Sequence, residues 1–70
     1  MTTRFLKDHN YCHRNDPDVY MNVIDVVDYD DHFKLLVIWR EKKTNKPIFG
    51  DAFVTHVLRN SLHEWFPWQK

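Results

Sequence analysis

Phe53–Phe66, F-V-T-H-V-L-R-N-S-L-H-E-W-F, decides the fold because it reads in two ways. Phe53, Val54, Val57, Leu58, Leu62, Trp65 and Phe66 recur at three- and four-residue steps, which places most of them on one face of an α-helix. His56, Arg59, Asn60 and His63 fall on the opposite face. Gly50-Asp51 resembles a helix entry, with Asp51 able to cap the first exposed amides. Pro67 closes the stretch, since it pushes Phe66 away from helical geometry. The competing reading is a strand over Ala52–Leu58, where Phe53, Thr55 and Val57 alternate. The spacing over the whole stretch predicts the helix.

Upstream, Phe33–Arg40, F-K-L-L-V-I-W-R, is the longest apolar run. As a strand it places Phe33, Leu35, Val37 and Trp39 on one face, and Lys34, Leu36, Ile38 and Arg40 on the other. Val19–Asp28 is rich in β-branched residues and reads as a second strand. Simple alternation puts Met21, Val23 and Val27 on one side and Tyr20, Ile24 and Val26 on the other. Tyr29–His32 has hairpin length. Glu41–Pro47 is a polar turn, followed by Ile48 and Phe49 as a short third strand, at an edge because Pro47 cannot donate to a ladder. Before Val19 the chain lacks a clear period. Phe5, Leu6 and Tyr11 are its sizeable apolar anchors, and Asn15–Asp18 is a turn signal. The expectation is an α+β domain over residues 19–70, a three-stranded antiparallel sheet with a C-terminal helix packed on it. Residues 1–18 form an arm with one short strand around Tyr11. If the Phe53 stretch is a strand instead, the alternative is a five-stranded SH3-like β-barrel.

The totals narrow the class. A chain of 70 residues buries only about 60% of its extended surface, so its core needs large side chains. Three Trp, three Tyr and five Phe, with a single Gly, supply them. Ten basic residues balance ten acidic ones, so no overall field draws the chain to nucleic acid or an anionic membrane. Cys12 is alone and cannot form an intrachain disulfide, which points to a reducing compartment. No apolar run approaches the roughly 20 residues of a membrane span, and Arg4, Lys7 and Asp8 interrupt any signal peptide. A complete cytoplasmic protein is expected.

Charge is uneven along the chain. Asp25, Asp28, Asp30 and Asp31 lie between Val19 and Phe33 with no basic residue, while Lys34, Arg40, Lys42, Lys43 and Lys46 lie from Lys34 to Lys46 against Glu41 alone. The two turns then lie about 25 Å apart, at ~3.3 Å per residue. A basic tip for phosphate and an acidic tip for a basic partner are weighed against ordinary wet hairpin ends. Asp28, Asp30, Asp31 and His32 lack the spacing and glycine of a calcium loop. His9, Cys12 and His13 are potential zinc ligands, but no partner pair follows downstream, so no metal or cofactor is expected. Cys12, or Ser61 with His63, lies in no catalytic signature, and no glycine-rich phosphate loop exists. No enzyme is expected. Trp65-Phe66-Pro67-Trp68 concentrates aromatic area, and exposed Trp is a frequent interface anchor.

Asn22–Arg40, N-V-I-D-V-V-D-Y-D-D-H-F-K-L-L-V-I-W-R, resembles the first two strands of chromo and chromo shadow domains. These have an apolar strand ending in Asp, a polar turn, and a hydrophobic strand ending in Trp and a basic residue. The resemblance implies a small SH3-like module. Tyr20 and Trp39 would stand for two walls of a methyl-lysine cage. Shadow domains dimerise through their C-terminal helix and bind peptides near the tail, which would implicate Leu58, Leu62, Trp65 and Trp68.

The leading expectation is therefore a non-enzymatic protein-interaction module, an adaptor or inhibitor on a larger partner or a homodimer, using Leu58, Leu62, Trp65 and Trp68. The alternative is a nucleic-acid-binding module using Arg40, Lys42, Lys43 and Lys46, with Tyr20 or Trp39 as a stacking surface.

Overall fold

The computed structural model describes residues 5–69. It holds five strands: β1 (Asn10–His13), β2 (Val19–Asp28), β3 (His32–Glu41), β4 (Phe53–Leu58) and β5 (Trp65–Pro67). They form one antiparallel sheet in the order β4-β3-β2-β1-β5. Consecutive strands pair from β1 to β4, and the last strand returns to the first. The only helical element among the described residues is a 3-10 helix, Arg59–Glu64.

The three-stranded sheet with a C-terminal helix is thus overturned. Phe53–Leu58 pairs along β3 in unbroken register, from Val37↔Phe53 to His32↔Leu58. The β-branched Val54, Thr55 and Val57 suit a pleated surface and resist a helix, where their χ1 freedom is lost. The helical spacing arose because β4 carries apolar residues on both faces, and the 3-10 helix then adds Leu62. That turn drops Leu62 into the core, where it is almost fully buried. Asp51 caps nothing there, for the residue before the 3-10 helix is Leu58, with no side-chain cap. Ile48 and Phe49 form no third strand. Pro47 makes an isolated bridge to Arg40, Ile48 N–H donates to Trp39 C=O at 2.9 Å, and both apolar side chains stay exposed.

On β3 the predicted alternation holds: Phe33, Leu35 and Val37 are buried on one face. Paired residues share a face, so Met21, Val23, Val26 and Val57 join them. Strict alternation fails on β2 because the register shifts between Val23 and Asp25. The extra residue, Ile24, moves Val26 inward and Val27 outward, as a β-bulge does. The segment before Val19 supplies β1 and two core rings. Phe5 meets Tyr11, Phe33 and Trp65 edge-on at 4.9, 5.6 and 5.9 Å, and closes the inner face. Tyr11 Oη accepts from the Leu6 N–H at 2.8 Å.

Candidate functional site: an open sheet edge

Hydrogen-bonded and non-bonded pairs alternate along an antiparallel ladder, so one bond at an end sets the phase of the whole strand. Tyr29 N–H donates to His32 C=O just beyond the Asp28↔Phe33 pair, so Phe33 turns its own backbone groups away from β2 and towards β4. Arg59 N–H donating to Asp31 C=O sets the same phase from the far end. Leu58↔His32 is then a non-bonded pair and Val57↔Phe33 a bonded one. Phe53, Thr55 and Val57 therefore use their amides on β3, while Val54, His56 and Leu58 direct theirs to the open side.

The side chains of those three residues stand on the outer face, and Val54 and Leu58 are 54% and 53% exposed. Val54 pairs with Leu36, and Leu36 pairs with Asp25. With Val27 and Lys34 they line a shallow outer-face cavity of about 250 Å³. Phe53, on the other face, is 45% exposed and meets Phe49 edge-on at 4.9 Å. No Lys, Pro, Gly or bulge interrupts β4. These are the devices by which edge strands usually discourage pairing.

The C-terminal end of β4 is anchored by Arg59. Its guanidinium donates to Asp28 Oδ1, to Tyr29 C=O at 2.7 Å and to Asp30 C=O at 2.8 Å. It also lies 4.6 Å above the Phe33 ring. The acidic turn is therefore answered from within the chain. In the same turn, a hydrogen bond from the His32 ring at 2.6 Å holds the exposed Asp31 carboxyl below its ordinary value of 3.8. Asp31's own backbone N–H and the charges of His32 and Arg59 act in the same direction.

The residues singled out in the sequence do not converge. Leu58 is on the outer face and exposed, whereas Leu62 is core. Trp65 packs on the inner face between Phe5, His13 and Trp39. Trp68 lies 6.2 Å from the Tyr20 ring, with Lys42 Nζ 4.1 Å over its own ring. Tyr20 is fully buried and donates to Asn45 Oδ1 at 2.9 Å, so no base can stack on it. Trp39 pairs with Met21 while Tyr20 pairs with Arg40, which sets the two rings on opposite faces and excludes one shared cage. Arg40 donates to Asn45 C=O at 2.8 Å, whereas Lys43 and Lys46 are exposed.

Cys12 and His13 are successive strand residues on opposite faces; His13 Nε2 lies 3.3 Å from Glu64 Oε1. His9 Nδ1 pairs with Lys7 C=O. No group of three or more His, Cys, Asp or Glu is placed to hold a metal among the described residues. Ser61 donates to Asn60 Oδ1, not to His63. No helix among the described residues is long and apolar enough to cross a membrane.

Val27, Leu36, Val54 and His56 are not among the candidate site residues that the sequence offers. The signal for them was the uninterrupted F-V-T-H-V-L run, masked by the helical spacing. No protein-family model matches this chain, and no curated protein or solved structure matches it either.

Proposed function

We propose that the chain is a non-enzymatic protein-interaction module that binds its partner by strand addition at β4. One observation carries this: a six-residue edge strand whose outward amides at Val54, His56 and Leu58 are flanked by exposed apolar side chains. Main-chain hydrogen bonds supply affinity in such docking, and alternate side chains supply selectivity. The return of the last strand to the first supports the SH3-like reading of the sequence, which speaks to architecture and names no partner. The lone Cys12 supports a reducing, cytoplasmic setting.

The nucleic-acid reading has less support. Tyr20 is buried, and Arg40 and Lys42 are occupied within the chain. The two readings separate in an affinity capture from host lysate, with and without nuclease, using the wild-type chain and Val54→Lys. Strand addition predicts a protein retained through nuclease treatment and lost with Val54→Lys. Capture that nuclease abolishes, or that Val54→Lys leaves unchanged, rejects the β4 reading.

A further inference from the structure

We infer that the strand taken up by β4 is β4 of a second copy of this chain, antiparallel, with the two His56 residues facing each other across a two-fold axis. This rests on reading β4 as the docking edge. Backbone phase selects the register. In a two-fold pair each outward residue must meet an outward residue, and the outward set on β4 is Val54, His56 and Leu58. That set maps onto itself in full only when His56 opposes His56 and Val54 opposes Leu58. A one-residue slip sets outward amides against inward ones, and a two-residue slip strands one end.

Side-chain chemistry agrees with this register. The outer face then joins Val54 of one copy to Leu58 of the other at both ends, extending the apolar strip of Val27 and Leu36 across the seam. No Asp, Glu, Lys or Arg lies on β4, so no like formal charges meet in the pair. Lys34, the cross-strand neighbour of His56, stands one strand farther in on each side.

Closure follows from the opposite edge. Arg14 N–H donates to Glu64 C=O, and Trp68 N–H donates to Asn10 C=O, so Trp65 and Pro67 are the outward residues of β5. Leu62 C=O takes the Trp65 amide, and Pro67 has none to offer. A neighbour's β5 therefore gives β4 no outward donor, and head-to-tail growth is disfavoured. Association stops at two copies in one ten-stranded sheet. Five paired residues per copy fall short of the about 800 Å² per partner of a standard interface, so the dimer is weak and exchanges rapidly.

Sedimentation of the full chain from micromolar to millimolar concentration tests this. The wild type is expected to rise from the mass of one chain to that of two and level there. His56→Lys and His56→Glu each set like charges face to face and should weaken the dimer about tenfold or more. An equimolar mixture should restore it, because Lys then faces Glu. The His56 side chain is exposed, its ring 5.4 Å from that of His32, so both variants should keep the wild-type melting temperature. Amide exchange gives a readout free of substitutions: protection at Val54, His56 and Leu58 should grow with concentration, while β5 stays unchanged.

A wild type monomeric at millimolar concentration overturns the proposal, as does a mixture no tighter than either variant, or a mass that climbs past two. A monomeric chain whose captured protein is still lost with Val54→Lys keeps β4 as the docking edge and rejects only the second copy. Loss of both results rejects the edge itself.

Discussion

The two edges of this sheet are built to opposite rules. β5 is three residues long, contains Pro67, and has its one outward amide, that of Trp65, bonded back to Leu62. β4 is twice that length, uninterrupted, and offers outward amides between exposed apolar side chains. A chain this small has limited means of hiding apolar surface, and it has applied them unevenly. Trp68 covers Tyr20 at the β5 end, while nothing among the described residues covers Val54 or Leu58. The difference teaches that exposure here is local. A generally loose fold would leave both edges open.

Breaking the guarded side should have the largest effect. Tyr20 is fully buried beneath Trp68 and binds the Asn45 side chain, so it ties the outer face of β2 to the β3–β4 loop and to the chain end. Tyr20→Ala should cost about 3–5 kcal/mol, on the scale of large buried aromatics. Chemical denaturation measures this, and Trp68 fluorescence should shift red in the remaining folded fraction. A loss below about 1 kcal/mol would mean that Trp68 covers little.

The next effect belongs to the open side. Arg59 fastens the end of β4 to the β2–β3 turn through Asp28, Tyr29 and Asp30. Its side chain is about one third exposed, so water screens part of these bonds. Arg59→Ala should cost about 1–2 kcal/mol, and amide exchange should quicken first at Val57 and Phe33, whose amides bond each other's strand at this end. Uniform quickening over the whole sheet would show that Arg59 supports the fold at large and not this edge.

Pro67→Thr sharpens the comparison most directly. It returns an outward N–H to β5 and should change stability by no more than about 0.5 kcal/mol, since Pro67 is exposed. Its consequence is for assembly. With both edges able to donate, β4 of one copy can meet β5 of the next, and species larger than two chains should appear in sedimentation. If Pro67→Thr sediments like the wild type, the guarding of β5 lies in Trp68 and the shortness of the strand.

Individual strands are legible in the residues, while the fold class is not. Val19–Asp28 and the body of β3 follow from β-branched content, and the burial of Phe33, Leu35 and Val37 follows from period two. The bulge at Ile24 is not legible, because an apolar residue there suits either face. β4 is hidden for a related reason: with Phe53, Val54, Val57 and Leu58 all apolar, an edge strand with apolar residues on both faces mimics one helical face. Which residues of β4 turn their amides outward depends on hydrogen-bond phase, which no side chain encodes. It is set by the bonds that Tyr29 and Arg59 make at the strand ends. Trp68 is the converse case: its aromatic surroundings are legible in the sequence, whereas its contact with the buried Tyr20 is not.

The smallest effect tests how the open edge is pinned. Asp31 lends its carbonyl to Arg59 N–H at the end of β4, while its carboxylate accepts from the His32 ring. The folded carboxyl titrates below 3.8, so it binds its proton less readily than in the unfolded chain. Its contribution is present above that value and disappears as pH falls through the folded midpoint. Carboxyl-carbon resonances should show Asp31 titrating below 3.8, and His32→Ala should move that midpoint upward. If the His32–Asp31 pair also aligns the carbonyl, the Arg59 amide resonance should move with the same midpoint, and its exchange should quicken in His32→Ala. An Arg59 amide that ignores the titration would assign the pinning to the guanidinium alone, so that Arg59→Ala frees this end of β4 and His32→Ala does not.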